Sequence, residues 1–213
     1  MTNKCEELHE IFNSMERLYF PYNHVKIPLN GIYVLFEKGE KAHGVDRIVR
    51  IGTHTGTDQL QSRLMQHFIV QNKDRSIFRK NIGRAMLNRD NDDYLEIWEW
   101  DLTTRAKKKE LSSFIDIELQ NKIEDRVSHK IQKNFSFVVF PIENKEERLI
   151  FESRIISEVS NCKKCCPSEH WLGKYSPKNK IRESGLWLVN ELYKQGFSEV
   201  EYDRFKKLFV NVF

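Results

Sequence analysis

The sequence predicts an α+β fold: a small three-stranded antiparallel or mixed sheet flanked by helices. Three observations carry this. Two short runs rich in β-branched and aromatic residues, 31–36 and 47–52, flank a charged stretch with Gly39 and Gly44, which is the pattern of a β-hairpin. A third run, Phe135-Ser136-Phe137-Val138-Val139-Phe140, is ended by Pro141. Around these runs, apolar residues recur at helical spacing.

Taken in order, residues 6–22 read as an amphipathic helix with Leu8, Ile11, Phe12, Met15, Leu18 and Tyr19 on one face. Pro21 and Pro28 bound an extended lead into the first strand. The hairpin turn reads as too long for a two-residue loop. After a polar loop, Leu60, Leu64 and Phe68 recur at i, i+4, i+8, with Arg63 and His67 on an adjoining helical face. Ser76 is a suitable N-cap for the next helix, in which Phe78, Ile82, Ala85 and Met86 face inward and Arg79, Lys80 and Arg84 project. Residues 88–93 form a break, and 97–102 a short strand or loop. Residues 107–133 predict one long helix, and 145–160 another. Two more helices are expected, from Glu183 or Ser184 into Leu192 and over 199–210. The chain thus divides into a lead-in (1–30), a core (31–160) with a helical insertion at about 71–132, and a helical extension (161–213).

The hydrophobic fraction of 39% with 12% aromatics supports a packed core and argues against disorder. A 31% charged fraction nets only +4, which permits a nucleic-acid partner without requiring one. The N-terminus lacks the basic-then-apolar order of a signal peptide, and no window approaches a membrane span, so a cytoplasmic protein is expected. Cys162, Cys165 and Cys166 cluster near His170, but no second Cys-x-x-Cys pair accompanies them. Structural thiols are therefore expected in preference to a metal site.

Glu152 is the most informative single residue. It falls in the middle of the stripe Leu149, Phe151, Ile155, Ile156 and Val159. A buried unpaired carboxylate is costly. Either a salt bridge to Arg148, four residues earlier, or a metal ion would offset that cost.

Gly31-Ile32-Tyr33, then Arg50-Ile51-Gly52, then a helical Arg63 and a later helical Glu152 form an ordered series that resembles the GIY-YIG nuclease family. Arg50 stands where that motif has its second tyrosine. The stretch from Arg50 to His54, with 76–79 and the late Ser184-Gly185-Leu186-Trp187, is most similar to the restriction-endonuclease branch. The family's late Pro and Asn are not found at their usual offset. The resemblance implies hydrolysis of double-stranded DNA with Mg²⁺ or Mn²⁺. Glu152 would hold the metal, Arg63 would clamp a phosphate bidentately, and Tyr33 would serve as general base beside Arg50 and His54. His67 is given no catalytic role. Arg79, Lys80 and Arg84, and Lys107, Lys108 and Lys109, are candidate DNA phosphate contacts. A palindromic target would favour a two-fold dimer, and a restriction role leaves room for a partner DNA methyltransferase. The rival readings are a structure-specific repair or recombination nuclease and a DNA-binding module without cleavage.

Overall fold

The structure, a computed structural model, describes residues 4–209. Helix α1 (Lys4–Ser14) leads to a two-residue strand β1 (Leu18–Tyr19), and the hairpin follows as β2 (Gly31–Ala42) and β3 (Val45–Gly52). Next come α2 (Leu60–Phe68), α3 (Ile77–Arg89), α4 (Leu95–Glu99), α5 (Arg105–Leu111) and α6 (Ile117–Asn134). Strand β4 (Phe135–Pro141), α7 (Lys145–Ser160), α8 (Asn179–Ser184) and α9 (Glu199–Lys207) complete the chain.

The α+β class holds, with one strand more than expected. The sheet has four strands in the order β1-β4-β2-β3, every pair antiparallel. The extra strand is β1, where Leu18 faces Phe137 and Tyr19 faces Ser136. Those two residues fit the apolar face of a longer first helix equally well. A partner more than a hundred residues away decides for strand.

The hairpin turn is also tighter than expected. It is the two residues His43 and Gly44, with φ of 52° and 80°, as a primed two-residue turn requires. The preceding charged residues look like loop but continue the strand, because Glu37 and Glu40 are buried and paired. The indole N–H groups of Trp171 and Trp187 both donate to Glu37 Oε2 at 2.9 Å, and Lys130 Nζ lies 3.0 Å from Oε1. Arg47 donates to Glu40 through Nε and Nη2 (3.0 and 2.6 Å) and to the Gly185 carbonyl at 2.6 Å.

Both faces of the sheet are covered, and alternation along β2 divides its side chains between two cores. Ile32, Val34 and Phe36 join Val138 and Phe140 against α1, α7 and α9. Tyr33 and Leu35 join Phe135 and Phe137 against α2, α3, α6 and the two tryptophans. Opposite Leu35 and Phe36 the register slips, so that Arg50 and Ile48 pair with them and Val49 is extra. Arg50 already lies on the Tyr33 face by alternation, and the bulge brings Val49 onto that face beside it. Bulges commonly re-aim side chains in this way beside functional sites.

The insertion departs from its expected form. Residues 97–99 belong to helix α4. The single helix expected over 107–133 is two, because Asp116 caps α6 by accepting from the Leu119 amide and so ends the preceding segment. Ser76 caps α3 as expected, accepting from the Arg79 amide at 3.2 Å. However, α3 is buried from Phe78 to Leu87 without a break, so Arg79, Lys80 and Arg84 do not project toward a ligand. Arg79 pairs with Glu124 (2.6 Å) and Ser128 (2.8 Å). Lys80 donates to the carbonyls of Glu99 and Trp100, both at 2.9 Å. Arg84 pairs with the Glu99 carboxylate and Asn81. Paired internal cations keep their charge without solvent, which the helical period of α3 alone does not reveal.

In the extension, Gly185 adopts a left-handed conformation (φ 69°) and ends α8. The helix expected to continue into Leu192 is therefore absent. Trp187 instead donates its amide to the Val49 carbonyl at 2.8 Å, laying this segment along β3. The end of the last expected helix, Val210, lies outside the described residues. Among the described residues, no helix is long and apolar enough to cross a membrane.

The buried Arg47–Glu40 pair ties the hairpin to the extension, so its loss should be felt globally. Glu40→Ala leaves a buried guanidinium without its carboxylate and is expected to destabilise the fold by about 3–5 kcal/mol. Urea unfolding measures this, and a midpoint unchanged from wild type would contradict the role given to the pair.

Candidate active site

Tyr33 is fully buried, and its hydroxyl lies directly over Gly52, its cross-strand partner. A Cβ at position 52 would fall 2.2 Å from that hydroxyl, so only glycine lets the ring lie there. The hydroxyl is 2.7 Å from His67 Nε2 and accepts from Arg50 Nε at 3.3 Å. His67 Nδ1 in turn is 2.7 Å from Ser76 Oγ. Burial, followed by the nearby charges of Arg50, Arg63 and Arg79, holds the His67 imidazolium well below its ordinary pKa, so this ring is neutral. His67 was passed over in the sequence. Its only signal there is its position, one helical turn beyond Arg63 on a face that packs on the Tyr33 strand.

Arg50 links this buried chain to open space. Its Nη1 donates to the Trp187 carbonyl, and its side chain lines a cavity of about 470 Å³ together with Arg63, Leu149, Glu152 and Glu191. Arg63 sits on α2, where its Nη1 donates to Gln66 Oε1 and the Arg75 carbonyl, both at 3.2 Å. Neither arginine forms an ion pair among the described residues. Two such guanidinium groups on one cavity wall make a site suited to a phosphate.

Glu152 is partly buried on α7 and faces the same cavity. The salt bridge to Arg148 does not form. Arg148 turns the other way and donates to the carbonyls of Ile142 and Glu143 at 3.0 and 3.3 Å, and to those of His54 and Gly56 at 3.5 and 3.4 Å. The one hydrogen bond to Glu152 among the described residues comes from the Thr53 amide to Oε1, at 3.0 Å. Desolvation pushes its carboxyl up to about 7, against the opposing pull of Arg50 and the Thr53 amide. Glu191, across the cavity, adds to the rise, while its own carboxylate is held by Lys194 and Ser153.

His54 goes elsewhere. It lines a smaller cleft of about 250 Å³ with Thr53, Gln59, Ser62 and Arg63. Its Nδ1 donates to the Gly56 carbonyl at 2.8 Å, and its buried Nε2 has no hydrogen-bond partner among the described residues. Arg63 lines both spaces. The structure thus gathers Tyr33, Arg50 and His67 into one chain, joins Arg50 to Arg63 and Glu152 across a cavity, and sets His54 beside Arg63 rather than beside Tyr33. Lys107, Lys108 and Lys109 are exposed on α5, away from the cavity walls.

Among known proteins, a family model described as the GIY-YIG domain matches residues 3–212. No curated protein and no solved structure matches the chain.

The environment of Glu152 sets a pH dependence. Unfolded, its carboxyl ionises in the ordinary range; folded, it does so near 7. The folded state then holds the extra proton between those values, and stability falls as pH rises through that window. With divalent cations chelated, Glu152→Gln should raise Tm at about pH 8, with the gain vanishing toward about pH 4. A lower Tm for the variant at about pH 8 would instead report a stabilising ion pair at this position.

Proposed function

The chain belongs to the GIY-YIG domain family, a family of nucleases, and on that premise we propose that it is an endonuclease cleaving double-stranded DNA with Mg²⁺ or Mn²⁺. The observation that carries this reading is the single cavity in which Arg50, Arg63 and Glu152 meet.

A divalent ion fits these residues. Glu152 forms no ion pair among the described residues and faces the cavity, and Mg²⁺ is commonly held by one or two carboxylates with waters and phosphate completing its shell. Glu152 would hold it, and the ion would supply Lewis acidity at the scissile phosphate. Arg63 orients the phosphate and neutralises charge as it develops. Arg50, anchored on the Trp187 carbonyl, binds from the second side and keeps its Nε–H on the Tyr33 oxygen. Tyr33 donates its proton to His67 Nε2, and Nδ1 donates to Ser76. In this tautomer neutral His67 holds the Tyr33 hydroxyl from one side, and the Arg50 Nε–H holds it from the other. Tyr33 would serve as general base in its ionised form, taking a proton from an attacking water that reaches its oxygen alongside Arg50. His54 would assist at Arg63 rather than activate Tyr33.

Restriction-like sequence specificity is the further reading we favour. It is supported by the Arg50–His54 sequence and by the way Ser184-Gly185-Leu186-Trp187 builds into the site through the Trp187 carbonyl. In that role the protein would act in the cytoplasm on a palindrome as a two-fold dimer, beside a methyltransferase that protects the host site. Exposed Lys107, Lys108 and Lys109 on α5 would contact DNA phosphates.

Cleavage of a plasmid with and without Mg²⁺ tests the proposal. Discrete fragments support restriction, structure-dependent nicks a repair nuclease, and binding without cutting a DNA-binding module. Arg63→Ala is expected to slow single-turnover cleavage by about 10²–10³. Glu152→Gln should stay folded, bind DNA and fail to cut; wild-type cleavage rates in this variant would remove the metal assignment.

The α5 lysines have their own measurement. If Lys107 and Lys108 contact phosphates, Lys107→Ala and Lys108→Ala should each reduce the slope of log affinity against log salt by about 1. An unchanged slope would return them to the solvated surface.

A further inference from the structure

Apart from the residues that line the cavity, four ligand-bearing side chains converge from three parts of the sequence. Cys5 and His9 lie one turn apart on α1, His43 is at the hairpin tip, and Cys165 follows α7. We propose that these four residues form a zinc site, one that fastens the N-terminal helix, the hairpin tip and the C-terminal extension together.

Geometry supports this first. One ligand atom from each residue lies within 4.8 Å of all the others. Cys5 Sγ is 3.3 Å from Cys165 Sγ, His43 Nε2 is 3.1 Å from Cys165 Sγ, and His9 Nε2 is 3.9 Å from it. Tetrahedral zinc, with bonds of roughly 2.0–2.3 Å to nitrogen and sulfur, sets its ligand atoms roughly 3.3–3.8 Å apart. A disulfide needs its sulfurs at about 2.05 Å, which the 3.3 Å separation does not meet.

Conformation and surroundings point the same way. His43 occupies a left-handed position (φ 52°) that primed turns usually give to Asn, Asp or Gly. The strained placement directs its ring at Cys165. His9 donates Nδ1–H to the Cys5 carbonyl at 2.8 Å, which fixes the tautomer and leaves Nε2 as the ligand atom. The Ile48 amide also points at that nitrogen (3.2 Å), so metal binding would replace one weak hydrogen bond. Cys5, His9 and Cys165 are buried, and His43 partly so. A set of two thiolates and two imidazoles is soft and tetrahedral, suited to Zn²⁺ and unsuited to Mg²⁺.

The cysteine cluster in the sequence supplies one of the four ligands, Cys165; the other three come from α1 and the hairpin tip. Cys166 and His170 are exposed and take no part. Cys162 Sγ stands 3.6 Å from His43 Nε2, beside the four.

The test is elemental analysis of the full chain purified without chelator. One zinc per chain is expected, with chelation lowering Tm as the site is stripped. Cys5→Ser and Cys165→Ser should each abolish stoichiometric zinc, while Cys166→Ser and Glu152→Gln keep it. Should the ligand variants fail to fold, cobalt substitution of the wild-type chain still decides: a thiolate-to-cobalt charge-transfer band is expected. Absence of zinc after reconstitution, or a Cys5–Cys165 disulfide located by peptide mapping of the unreduced chain, would overturn the proposal. Zinc lost from Cys162→Ser yet kept by His9→Ala would overturn the ligand set.

Discussion

Covering the hairpin on both faces is the constraint on which the rest of the structure depends. Strands β2 and β3 carry Tyr33, Glu37, Glu40, Arg47 and Arg50, all of them buried. A polar group removed from water on both sides of a sheet must be satisfied from within. The extension does this. Its two indoles bond Glu37, its Gly185 carbonyl bonds Arg47, and its Trp187 carbonyl bonds Arg50. Ser168 adds its amide and hydroxyl to Glu40. The C-terminal segment is therefore part of the machinery that permits charged side chains inside the fold.

The same demand shapes the candidate site. Arg50, opposite Leu35, shares the Tyr33 face by strand alternation, and the carbonyl of the bulged Val49 beside it is paired by the Trp187 amide. Arg50 then carries contacts in three directions: the extension, the Tyr33–His67 chain and the open cavity. An arginine can do this where a tyrosine cannot, since its planar fork offers several fixed donors and keeps its charge. The position of Arg50 is thus built into the local structure.

Two carboxylates on the Glu152 side of the sheet show how surroundings separate chemically equal groups. Glu191 is engaged by Lys194 and Ser153 and is held below its ordinary range, whereas Glu152 is desolvated and rises toward 7. Burying a carboxylate without a cation costs stability that a simple structural role would not require. Arg148, the obvious helical partner, is instead spent on four backbone carbonyls that shape the 53–56 loop and the start of α7.

Local patterns determined much of this protein. Hairpin, third strand, α2, the Ser76 cap and the bounds of α7 all follow from period, propensity and capping, which act over a few residues. So did the order Tyr33, Arg50, Arg63, Glu152. Other features needed partners distant in the chain. Leu18 and Tyr19 became a strand only because β4 was there to pair with them. Residues 186–188 left helical geometry for the edge of β3. Arg79 and Arg84, which read with Lys80 as a surface patch, became internal ion pairs, and Lys80 a donor to backbone carbonyls, once α4 and α6 enclosed α3. His67 acquired a partner in Tyr33, and Cys165 found Cys5 and His43. In each case the deciding free energy lies in desolvation and pairing between segments far apart in sequence. Local spacing carries no record of those terms, and only the tertiary structure could decide them.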